Sequence, residues 1–152
     1  MNGLNEKVIG KGSLSCVLKK ADGTKECWGI DNLVVTTGRN HIADQLSDQS
    51  EASMSHMAIG EGTTTQILAD TALESEVSRK ALTSKTQGSG SDANKIIYVA
   101  DWAAGEGTGA ITEAGLFNSA TAGTMLTRTT FAVKNKDVGD SLSIQWTLTI
   151  TG

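Results

Sequence analysis

The chain has 152 residues, 38% of them hydrophobic and 20% charged, with 17 glycines, no proline and a formal net charge of −4. That is the size of one domain, large enough to bury a core without metals or disulfides. The acidic balance disfavours general nucleic-acid binding, which needs Lys and Arg to displace counterions from phosphates. No run of apolar residues reaches the ~18 of a membrane-spanning helix. The N-terminal MNGLNEKVIGKG has no apolar stretch of the kind a signal peptide carries, so assembly in the cytoplasm is expected.

In chain order, residues 1–12 are polar and punctuated by glycine, and read as an N-terminal arm preceding a single domain over 13–152. Residues 13–19 and 24–30 read as two strands around Asp22-Gly23, a strong hairpin signal. A two-residue loop there would set Cys16 opposite Gly29 and Cys27 opposite Leu18. Both thiols would then share one sheet face, too far apart diagonally for a good disulfide. After the apolar run 33–35, the four-residue spacing of Ile42 and Leu46 predicts a short amphipathic helix, with Thr36 or Thr37 near its cap.

Residues 47–53 read as a polar loop, and 54–59 as a strand ended by Gly60-Glu61-Gly62. Thr71 and Glu74 fit a capping box, predicting a helical turn over 72–77. A strand over 78–84 and a loop of small polar residues over 85–94 follow. Residues 95–103 place Ile96, Tyr98, Ala100 and Trp102 on one face, and 110–117 and 124–133 read as the next two strands. In the last strand Leu142, Ile144, Trp146, Leu148 and Ile150 alternate with serine, glutamine and threonine, as in a half-buried antiparallel strand. Seven to nine short strands with one or two short helices predict a mainly β, antiparallel sandwich or jelly-roll-like domain.

Chemistry-bearing patterns are sparse. No nucleophile elbow, Walker loop or dinucleotide fingerprint occurs, and no catalytic, cofactor or metal residues are assigned. Met54, His56 and Met57 cannot converge easily on a metal, because successive strand side chains point to opposite faces. Glu113 lies inside an apolar strand. If the hairpin is centred near Ala120-Thr121, Arg128 falls directly opposite it, which predicts a structural cross-strand ion pair, worth little if exposed. Trp102 and Trp146 sit on apolar strand faces and read as core, and Trp28 is open to either role.

One succession is distinctive. Residues 34–44 (VVTTGRNHIAD) are followed by 54–63 (MSHMAIGEGT), Asp70-Thr71-Ala72-Leu73, a glutamate and Arg79, then 111–118 (ITEAGLFN), 123–126 (GTML) and 140–150 (DSLSIQWTLTI). This order resembles small virion structural proteins of tailed bacteriophages, either capsid decoration (cement) proteins or tail-associated components. The resemblance implies a non-enzymatic subunit on the outer capsid surface that binds the major capsid protein and, as a dimer or trimer, copies of itself. The expected contact regions are the arm (Asn2, Asn5, Lys7, Lys11) and the loops at 47–53 and 85–94 (Asp48, Glu51, Gln87, Asp92). A tail- or fibre-associated subunit is the alternative, and a sugar-binding β-sandwich module or small hydrolase is a third.

Overall fold

The computed structural model describes residues 9–152. Nine strands and one helix follow in the order β1 (Ile9–Lys19), β2 (Lys25–Val34), α1 (Thr36–Leu46), β3 (His56–Gly60), β4 (Glu76–Ala81), β5 (Ser84–Gln87), β6 (Lys95–Trp102), β7 (Gly109–Phe117), β8 (Met125–Lys136) and β9 (Ser141–Thr151). All pairings are antiparallel, and the sheet order is β4-β3-β7-β8-β2-β1-β9-β6-β5.

The mainly β, antiparallel expectation holds. The arrangement is one continuous sheet curled into a half-barrel, and the two stacked sheets of a sandwich are not what the pairing draws. The join is β2, which runs alongside β1 up to Asn32 and then passes Leu33 and Val34 to β8. The curl brings the far ends together: Thr83 N–H donates to Val99 O at 2.7 Å, and Trp102 Nε1 donates to Ser78 Oγ at 3.0 Å. The concave side holds the core. Leu14, Cys16 and Leu18 of β1, Ile144 and Trp146 of β9, and Ala100 and Trp102 of β6 cluster there with Met57, Ile59, Ile111 and Leu116.

Several local expectations change. The first strand starts at Ile9, so residues 9–12, read as arm, belong to β1. Its hairpin has a longer turn than two residues: Lys19 pairs with Lys25, and Lys20 N–H donates to Thr24 O. Cys16 therefore pairs with Trp28, and Cys27 with Val17. A register shift of one residue reverses side-chain faces. Cys16 is buried and Cys27 exposed, on opposite faces and unbridged, not on one face as the shorter turn would place them. Burial pushes the Cys16 thiol up to about 12.

The helix forms where expected, starting at Thr36, with Val35 at its cap and no side-chain cap bond. Thr37 instead donates to Met125 O at 2.9 Å. Gly38 lies against β8 so closely that a Cβ there would stand 1.9 Å from Leu126 O. The helical turn over 72–77 is absent, and β4 begins at Glu76. The Glu74 carboxylate that would close the capping box accepts from Thr64 N and Oγ1, at 2.8 and 2.9 Å. The segment 85–94 is not wholly loop, since Ser84–Gln87 is strand β5 and Gly90–Asp92 a 3-10 turn.

Candidate functional site

The Glu113–Arg128 pair exists, by a different register than the sequence implies. Glu113 pairs with Thr130 and Gly115 with Arg128, so the two charges meet diagonally on one face. Arg128 Nε and Nη2 donate to Glu113 Oε2 at 3.0 and 2.9 Å. The pair is buried, with the side chains 3% and 0% exposed. Glu113 Oε1 also accepts from Gly62 N and Ser75 N, at 3.0 and 2.7 Å, and Oε2 from Glu74 N at 3.1 Å. Arg128 reaches on to Asp70 Oδ2 at 2.9 Å and Thr64 O at 3.1 Å. Burial acts to lower the Arg128 pKa, but the bonds to Asp70 and Glu113 outweigh it and hold it above its ordinary value. The two charges thus fasten the connection between β3 and β4 over β7 and β8.

Other buried and half-buried polar groups are engaged in the same way. The Glu51 carboxylate meets His41 Nδ1 at 3.0 Å, Asn118 Nδ2 at 3.2 Å and the Thr124 hydroxyl. The bonds from Thr124 and then His41 hold its carboxyl below the usual range. Lys136 is buried, donating to Asp140 O at 2.6 Å and Ala103 O at 3.1 Å, and burial pushes its pKa down. Asp140 accepts from Lys20 Nζ, Asp137 N and Ala21 N at 2.9, 2.9 and 3.0 Å. In each case a titratable group holds a loop or turn to the sheet.

Of the expected contact residues, Asn2, Asn5 and Lys7 lie outside the described residues. Lys11 is exposed on β1, and Asp48 is exposed with φ 55°. Gln87 bonds back to Ala93 O, and Asp92 pairs with Lys95 at 2.7 Å. Glu51 is the fastening described above. The structure brings the two loop regions side by side, since Lys85 Nζ donates to Ser53 Oγ at 2.6 Å and Met54 O at 3.2 Å. Trp102 and Trp146 are fully buried. Trp28 is half-buried, tilted at 49° against Phe131 with centroids 5.6 Å apart, and capped by Lys134 at 4.9 Å.

The surface that sequence reasoning found only in part is the convex face of β2, β1, β9, β6 and β5. Asp31, Ser13, Thr147, Ile97 and Thr86 form one row across five strands, and Gly29, Ser15, Gln145, Val99 and Ser84 the next. Cys27, Val17, Ser143 and Asp101 form a third. The middle row is uncharged, and Asp31 and Asp101 are the charges in the rows beside it. Lys11 and Lys95 stand at one end and Lys19 and Lys25 at the other. The alternation in β9 signals one row, while the width depends on strand neighbours distant in sequence.

Among the described residues no group of three or more His, Cys, Asp or Glu is arranged to hold a metal ion, and no helix is long and apolar enough to cross a membrane. No family model matches this chain, and neither a curated protein nor a solved structure is significantly similar to it.

Proposed function

We propose that this chain is a non-enzymatic virion structural subunit of a tailed bacteriophage, a decoration protein that docks on the outer capsid shell and on copies of itself. The observation that carries this reading is the broad convex face, hydroxyl and apolar along its middle row, with Asp31 and Asp101 as the charges between the lysines at its two ends. Five strands about 4.8 Å apart, with about 3.3 Å per residue, make a plate roughly 20 by 30 Å. That is of the order of the ~800 Å² per partner in a standard interface. Its hydroxyls and the Gln145 amide offer neutral hydrogen bonds, and Val17, Ile97 and Val99 offer apolar contact. The resemblance to phage virion proteins read from the order of segments from residue 34 onward agrees with this proposal. A subunit that binds only the assembled shell stabilises it by mass action.

The test is copy number in purified particles, followed by a face variant. A copy number comparable to that of the major shell protein is expected. Val99→Glu, beside Gln145 in the middle row of the face, is expected to weaken binding to undecorated shells at least tenfold while leaving the fold intact by circular dichroism. A few copies per particle would move the subunit to the tail. Absence from the particle would end the virion reading, and unchanged binding by the variant would remove the convex face from it.

A further inference from the structure

At one end of the convex face, Lys19 and Lys25 stand directly opposite each other across the β1–β2 ladder. Like charges in that position are destabilising. Neither lysine has an ion pair among the described residues. Of the nearby carboxylates, two have lysine partners of their own and Asp101 has a neutral one. Asp101 accepts from the Thr83 hydroxyl at 2.7 Å, Glu106 pairs with Lys80, and Asp140 pairs with Lys20 at 2.9 Å. Ser141 lies opposite Lys19 on the other side of β1, with Ser143 two residues on. Their hydroxyls make no bond among the described residues. Lys19, Lys25, Ser141 and Ser143 line a trough of about 420 Å³ together with Asp101 and the Lys80–Glu106 pair. Two lysines without an ion pair and two free hydroxyls therefore converge on one concavity, where the three lysines outnumber the carboxylates of Asp101 and Glu106, in a chain whose net charge is −4.

We propose that this trough is a docking site for clustered carboxylates, an Asp/Glu-rich segment on the surface of a protein partner. Lys19 and Lys25 supply charge-assisted hydrogen bonds and the two serines neutral ones. Continuity with the convex face selects a protein partner, because one surface then joins an apolar and hydroxyl centre to a charged end. Two lysines on an acidic chain displace too few counterions to hold a nucleic acid. The inference rests on the shell-docking reading for the partner's identity, and names the chemistry by which that partner is recognised.

The experiment is an amide chemical-shift titration of the full chain with a hexaglutamate peptide. Shifts are expected at 17–19, 25–27 and 141–143, with a Kd at least tenfold weaker in K19A/K25A. Lys11→Ala, at the far end of the face, should leave the Kd unchanged. No shifts at millimolar peptide, or equal weakening by Lys11→Ala, would overturn the site. Inorganic phosphate binding the same amides more tightly than the peptide would overturn the carboxylate assignment. Undecorated shells then separate this inference from the reading beneath it. Shell binding that K19A/K25A leaves intact would overturn the trough as the docking site and keep the shell reading. A peptide-binding protein that ignores shells would keep the site and end the shell reading.

Discussion

Glu113 and Arg128 stabilise the protein only as a pair. Desolvating two charges is expensive, and their attraction offsets this only when every remaining donor and acceptor is satisfied. Here Glu113 accepts from Arg128 and three backbone amides, and Arg128 donates also to Asp70 and Thr64. Glu113→Gln removes the charge and leaves Arg128 buried without its main partner. A loss of about 3–5 kcal/mol is expected, read by urea denaturation. Replacing both residues, as E113L/R128M, should recover part of that loss. A loss below about 1 kcal/mol for the single variant would mean that the pair contributes no more than an exposed one. Identity and pairing of these residues were legible, because a glutamate inside an apolar strand needs a cation within reach. Their burial was not, since the segment that covers them comes from 61–75, far away in sequence.

Among the elements, α1 shows how a short helix is held without a capping side chain. Its average composition is polar, and it buries only Gly38 and His41. Its fixings are Gly38 against Leu126, Thr37 on Met125 O, and His41 on Glu51. Gly38→Ala drives a Cβ into the Leu126 carbonyl at 1.9 Å. Overpacking of this kind costs about 1–3 kcal/mol, so a lowered Tm is expected, with faster amide exchange confined to α1 and the adjoining part of β8. Unchanged exchange would show that the helix is held elsewhere. The first hairpin and the missing turn at 72–77 show the limit of local signals. Asp22-Gly23 marks the turn, and Gly23 does take φ 90° there. Yet Asp22 accepts from Thr24 N and Oγ1 inside a longer loop, and that one step of register sends Cys27 outward. At 72–77 the capping box loses to tertiary partners, because Glu113 takes the amides of Glu74 and Ser75.

For the molecule as a whole, the carboxylates that fasten loops predict an acid limb. Hydrogen bonds from Lys20, Asp137 and Ala21 lower the Asp140 pKa, those from Thr124 and His41 lower that of Glu51, and those from Thr64 lower that of Glu74. A depressed folded pKa contributes stability above the unfolded value, lost as pH falls through the folded one. The urea midpoint should therefore be flat above about pH 5 and fall steadily below about pH 4. Asp140→Asn should make that decline shallower, and an unchanged slope would remove Asp140 from the account. On the alkaline side the sign reverses for Cys16, whose thiol ionises in the unfolded chain near its ordinary value of 9.0 but only at about 12 when folded. Stability should fall as pH rises above 9.

The sequence by itself determined what depends on near neighbours. Period-two alternation gave the inward faces of β6 and β9, most fully in β9, where Leu142, Ile144, Trp146 and Leu148 are all buried. Local spacing placed α1. Side-chain chemistry paired Glu113 with Arg128. Only the tertiary structure decided how far the strands extend, which strands are neighbours, and how the sheet closes. Alternation is the same in a sandwich and in a curled sheet, since each strand has one apolar face in both. The convex face and its lysine trough also belong to that level. Their rows join residues from five strands up to 134 positions apart, as Ser13 and Thr147 are, and only pairing of the backbone in space makes them one surface.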